Sequence, residues 1–295
     1  MKWTLAAVAA GCVASAALAQ HGPIARARQV TASYTFDLVP SPDGRSAVLI
    51  RIVGGREQLF MMNMDGSGER QITREDADHE DPVWSPDGRR IAFVLVKDGR
   101  KVVTLINPDG TGADAVTPAN HSAIHPSFTP DGRAILYCTD DDLRPPEKNE
   151  SEIYSIDLAS KKVTTLISGG VNTFPVMSPD ARKIAYRKII GDMNSEVFVA
   201  NADGSNPQNL TRHWTFEGWP AWSPDGKTIA YAGNRGNAGY QIFLMDADGG
   251  NVRLLAATEG RGTSPKWAPD GKTIFFTVCR ESQERRGCDI MAAGL

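Results

Sequence analysis

The sequence predicts an all-β chain folded as a six-bladed β-propeller of four-stranded antiparallel blades. Three observations predict it. One short turn recurs as Ser41-Pro42-Asp43-Gly44, Ser85-Pro86-Asp87-Gly88, Thr129-Pro130-Asp131-Gly132, Ser178-Pro179-Asp180-Ala181, Ser223-Pro224-Asp225-Gly226 and Ala268-Pro269-Asp270-Gly271. Its aspartates lie 44, 44, 49, 45 and 45 residues apart, a spacing of one propeller blade. A second turn follows downstream in most repeats, as in Asn63-Met64-Asp65-Gly66 and Asn201-Ala202-Asp203-Gly204, with a degenerate form at Asp157-Leu158-Ala159-Ser160.

Each element of the repeat has a physical reason. In the first turn Pro pre-sets φ, Asp fits the next position and Gly takes positive φ without steric cost. An apolar residue precedes it at Trp84, Phe128, Met177, Trp222 and Trp267 and ends strand A. Strand B follows as β-branched and aromatic runs such as Ile91-Ala92-Phe93-Val94 and Ile229-Ala230-Tyr231. Strand C precedes the second turn (Ile242-Phe243-Leu244-Met245), and a short strand D follows it (Asn209-Leu210-Thr211). The last repeat reads Ser264–Ala268, Thr273–Val278 and Asp289–Ala292 and reaches Leu295 without a strand D. An open edge there invites pairing. The alternating segment Arg28 to Tyr34 is expected to fill it, so that an N-terminal strand completes the last blade.

The pattern Pro-x-Trp-Ser-Pro-Asp-Gly-x-x-Ile-Ala-Phe, then Ile-Phe-x-Met-x-Ala-Asp-Gly, then Leu-Thr resembles the TolB-like propeller repeat over about residues 36 to 295. The resemblance implies six blades and contact with envelope proteins such as a peptidoglycan-associated lipoprotein. TolB carries an α/β domain ahead of its propeller, whereas only residues 20 to 35 precede the first blade here, so a propeller-only relative is expected. The same repeat caps serine peptidases of the prolyl oligopeptidase type, which need a Gly-x-Ser-x-Gly elbow; the sequence has none.

Residues 1–19 read as a signal peptide. Lys2 gives a positive start, Leu5 to Leu18 an apolar core, and Ala17-Leu18-Ala19 a small-x-small cleavage site. Lipid attachment at Cys12 is the competing reading. Residues 20–295 are then a single propeller domain in a periplasmic or secreted protein, expected as a monomer. Loss of Lys2 takes the net charge from −3 to −4. No basic run suggests nucleic acid or an anionic membrane, and no segment of the mature chain is long and apolar enough to span a bilayer. Of the remaining cysteines, Cys279 and Cys288 bracket a short connection between neighbouring strands and are expected to form a disulfide; two separate buried thiols are the alternative. Cys138 reads as a small hydrophobe.

Function is sought where the repeats differ. The A–B and C–D turns are uniform and share one face, leaving the B–C and D–A loops to form a variable face. The B–C loop 139–151 carries Asp140-Asp141-Asp142, read as a solvated tip. The histidines His79, His121, His125 and His213 are expected in D–A loops rimming the funnel. Binding is assigned to His79, Glu80, His125, Trp214, Phe216, Glu217, Trp219 and Arg261. Trp214, Phe216 and Trp219 exceed the repeat's aromatic quota, either as partner contacts or as packing between blades. His79, Glu80 and His125 could converge on a metal, but no ligand-spacing motif is present, so neither a metal nor a cofactor is called for. No acid/base or nucleophile–base pair is recognisable. Binding of an envelope protein or peptide is the preferred reading; the alternative is a periplasmic lyase or hydrolase on acidic sugars, using a funnel His or Arg.

Overall fold

The computed structural model describes residues 23–31, 35–139, 150–191, 194–236, 239–280 and 287–295. The leader with Cys12, the Asp140-Asp141-Asp142 tip and Ala32 to Tyr34 lie outside the described residues. Six four-stranded antiparallel sheets follow one another, each in A-B-C-D order. Blade 1 is typical, with strands Thr35–Pro40, Ser46–Val53, Arg56–Asn63 and Arg70–Gln71. Among the described residues there is no helix, and hence none that could cross a membrane.

The repeated turn forms as its residues dictate. Ser41, Ser85, Thr129, Ser178 and Ser223 each donate a hydroxyl hydrogen bond of 2.6 Å to the turn aspartate two residues on. That donation is the largest influence holding those carboxyls below the usual range. Gly44, Gly88, Gly132, Gly226 and Gly271 have φ of 67–70°. Ala181 keeps the same backbone at φ 59°, in a region that disfavours a Cβ.

Blades are fastened to one another by apolar packing. The motif's aromatic residues Phe93, Tyr137, Tyr186, Tyr231 and Phe276 are all buried. Six apolar clusters each bridge adjacent blades, as Ile50 and Leu59 do with Ile91 and Phe93. The indole nitrogens of Trp84, Trp222 and Trp267 donate to Val39, Val176 and Ala221 carbonyls in strand A of the preceding blade, at 3.1–3.3 Å.

Ring closure follows the sequence expectation, with shifted bounds. Ala27–Gln29 pairs antiparallel with strand C of the last blade (Cys288–Gly294), matching Ala27 to Ala293 and Gln29 to Met291. The Val30 amide continues the ladder to the Ile290 carbonyl at 2.8 Å. Cys279 and Cys288 are paired directly across strands B and C and form the disulfide. In blades 1, 2 and 4, strand D stops at Gln71, Ala115 and Asn209, earlier than its apolar pattern suggests. The next residue still makes one ladder bond, and then the Thr73, Thr117 and Thr211 hydroxyls accept from strand C amides.

Candidate functional site

Every strand A slips register at the same place, just before its last two residues. Within each bulge one residue turns to positive φ: Asp37 (52°), Asp81 (51°), His125 (51°), Phe174 (53°), Trp219 (51°) and Ser264 (51°). None is glycine, and the left-handed region costs an L-residue roughly 1–2 kcal/mol. Strain repeated six times in one ring marks a position held by the surrounding structure. Proline follows in five of the six, from Asp81-Pro82 to Ser264-Pro265. All six residues line the central channel. The same ring opens into a cavity of about 560 Å³, whose wall also carries Glu80, Lys101 and Arg261. Backbone geometry is thus constant around the ring while side-chain chemistry changes from blade to blade.

The chemistry is lopsided. Blades 1 and 2 contribute Asp37, Asp81 and Glu80, the last 3.7 Å from Lys101. His125 joins this half to the other. Its backbone amide donates to Asp81 at 3.3 Å, and its Nε2 lies 3.9 Å from an Asp81 oxygen. Its Nδ1 is 3.3 Å from Cys138 Sγ, and its ring stacks on Phe174 at 3.6 Å. An aromatic run continues from Phe174 to Trp219 (5.3 Å), Phe216 (5.1 Å) and Tyr240 (4.7 Å). Two cations flank it, Arg261 over Tyr240 at 4.6 Å and Arg187 over Phe216 at 4.4 Å.

The residues singled out from sequence separate into three groups. Glu80, His125, Trp219 and Arg261 meet at the funnel mouth, with Phe216 packed behind Trp219. Trp214 stands apart, 76% exposed and stacked on His213. His79 and Glu217 lie below the rim, both fully buried. Their location corrects the loop expectation: His79 and His125 lie inside strand A (Asp78–Trp84 and Ala123–Phe128), because the strand begins several residues earlier than its apolar end reveals. His79 Nδ1 contacts the Glu57 carbonyl at 3.2 Å, and burial holds its imidazole below the usual range. Glu217 accepts from Arg235 Nε at 2.8 Å, yet burial pushes its carboxyl up to about 8. Nearby Glu196 is also raised by burial.

Among the described residues no three His, Cys, Asp or Glu side chains converge to hold a metal ion, so His79, Glu80 and His125 are not brought together for that purpose. Sequence reasoning missed Asp37, Asp81, Phe174, Ser264, Tyr240 and Arg187. The x-Pro pair that begins four residues before the turn's Ser, Thr or Ala in five of the six repeats was an available signal for the ring. The uniform face has concavities too, one of about 730 Å³ between blades 4 and 5. The turn residues Ser178, Pro179, Asp180, Asp225 and Gly226 form part of its wall.

A family model described as TolB beta propeller domain matches residues 24–192 and 145–292. Among solved structures, a putative TolB from Agrobacterium tumefaciens is 22% identical, with 92% of this chain and 99% of that chain covered and a TM-score of 0.71. TolB from Acinetobacter baumannii is 19% identical over 91% of this chain and 65% of that one, with a TM-score of 0.65. An oligogalacturonate lyase in complex with manganese is 15% identical over 94% of both chains, with a TM-score of 0.62. Among curated proteins no match was found. At these identities the solved structures share the fold; with the family model spanning nearly all of the described chain, the protein belongs to the TolB beta propeller domain family.

Proposed function

We propose that the chain is an exported, periplasmic propeller that binds a protein or peptide of the envelope through the funnel mouth of its variable face. The observation that carries this reading is the strained ring of Asp37, Asp81, His125, Phe174, Trp219 and Ser264. A rigid frame presenting six different side chains suits recognition by complementarity. The apolar leader at residues 1–19 supports export, and the disulfide fits an oxidising compartment. A photo-crosslinking residue in place of Ser264 should trap one partner from an envelope extract, whereas the same residue in place of exposed Lys227 should not. Trapping at both positions, or at neither, overturns the reading.

The enzymatic alternative draws on the shared fold with an oligogalacturonate lyase and on one pair, His125 and Asp81, whose Nε2 and carboxylate oxygen lie 3.9 Å apart. Unsaturated product formed from oligogalacturonate, and lost in His125→Ala, would favour it.

A further inference from the structure

One slot of the repeat breaks its own rule beside the funnel. The strand B residue paired with the residue just before the bulge is Ile50, Val94, Cys138, Arg187, Ala232 and Thr277 in blades 1 to 6. Five are apolar or small, and blade 4 alone has an arginine. The neighbouring blade makes room for it with the smallest pair in the ring, Gly218 and Ala232. A Cβ on Gly218 would stand 3.0 Å from Arg187 Cδ and 3.2 Å from Phe216 Cζ.

Within that space the guanidinium is poorly served. No carboxylate among the described residues pairs with it, and its Nε is buried without a hydrogen-bond partner. Thr173 Oγ1, on the residue paired opposite, is likewise unpartnered. Burial pushes the guanidinium down to about 10, against the Tyr240 phenol and the Cys138 thiol, which act to raise it. A buried cation without a counter-ion is costly, and an apolar side chain of similar volume would be more stable there. On the other side of Tyr240, Arg261 is exposed and also lacks an ion pair among the described residues.

We propose that Arg187 is an anion site at the rim of the funnel, taking a carboxylate whose apolar portion rests against Phe216 and Trp219, with Arg261 drawing the same ligand in. The planar fork of arginine matches a carboxylate bidentately, and the aromatic faces reward a ligand with an apolar body. This deepens the binding reading by naming the chemical group recognised, and rests on it only in taking the variable face as the binding face.

The test is an NMR titration of the full chain at low ionic strength with N-acetylphenylalanine and its neutral amide. A parallel pair, galacturonic acid and galactose, tells a sugar acid from a peptide acid. In at least one pair the acid should bind about tenfold or more tightly than its neutral counterpart, the worth of one charge-assisted contact. Arg187→Met should abolish that ratio while leaving the melting temperature equal or higher, and Arg261→Gln should reduce it. The proposal is overturned if acids and neutral analogues bind alike in both pairs. It is also overturned if Arg187→Met lowers the melting temperature, because the arginine would then be paired within the chain. These outcomes are independent of whether the Ser264 crosslink traps a protein.

Discussion

The junction of blades 1 and 2 and the junction of blades 4 and 5 have the same frame and different buried groups. At the first, Gln58 accepts from the Thr73 hydroxyl and donates to the Glu75 and Ala77 carbonyls, a neutral amide with every partner in place. Beside it His79 is buried against Phe93. At the second, Glu196 stands where Gln58 does and takes the Thr211 hydroxyl. Glu217 stands where His79 does, with Arg235 and His213 around it. One Glu217 oxygen and the Tyr231 hydroxyl are buried without partners. The repeat therefore specifies geometry, and the chemistry placed in that geometry is free to differ. At the first junction the buried groups are an amide and an imidazole, with the exposed Glu75 carboxylate 3.6 Å from His79 Nε2; the second gathers two carboxyls around a single buried cation.

The largest expected effect breaks the second junction. Glu217→Ala leaves the buried Arg235 Nε without its acceptor and, because that donor is charged, should cost about 3 kcal/mol or more. Gln58→Ala at the first junction should cost about 1–3 kcal/mol from unpaired carbonyls. Urea unfolding of both variants checks the order; equal costs would erase the distinction drawn between the joints.

Next comes pH, where Glu217 and His79 should respond in opposite directions. Between the ordinary carboxyl range and about 8, the unfolded chain has released the Glu217 proton while the fold retains it. This group's contribution is therefore full at low pH and is lost as pH rises through that window. His79 is held neutral by burial, so its contribution is present above 6.5 and is lost as pH falls below it. His213 adds to the same acid-side loss. Melting curves of Glu217→Gln minus wild type should climb with pH from 5 to 8.5. The same difference for His79→Gln should climb as pH falls from 7 to 5. A flat difference profile for either variant refutes that assignment.

Two smaller effects sharpen the contrast from outside the joints. Ala181→Gly in blade 4 should gain about 0.5–1 kcal/mol by relieving the one non-glycine at that turn position; calorimetry reads it. Trp214→Ala should change stability by less than about 0.5 kcal/mol, since the ring is exposed. The same substitution should weaken retention of a partner by about 1–3 kcal/mol if the ring is a hot spot.

Blade number, turns, strand order, the closing strand and the disulfide were legible because each rests on local chemistry repeated at a fixed spacing. Pro-Asp-Gly writes the turn, and Ile-Ala-Phe writes strand B. The outer part of strand A was not legible. Its residues Thr35, His79, Asn172 and Glu217 are buried polar groups, which pattern reading assigns to loops. The bulge hid the ring for a similar reason, since a slip of register removes the alternation that marks a strand. Of the site, Trp219, His125, Glu80 and Arg261 were found because they differ from the repeat consensus. Arg187 also differs, but it lies in the strand with the plainest apolar pattern, and its meaning emerges only beside Gly218.

The pairing of Ala27 with Ala293 joins nearly the first described residue to nearly the last. These two segments lie far apart along the chain, so the blades can assemble in order while the circle stays open. Closing a loop of that length is entropically expensive, and long-range pairing is slow relative to hairpin formation. The last event in folding is therefore expected to be a clasp of three residues, and the chain passes through an open arc whose final edge is exposed until the clasp engages.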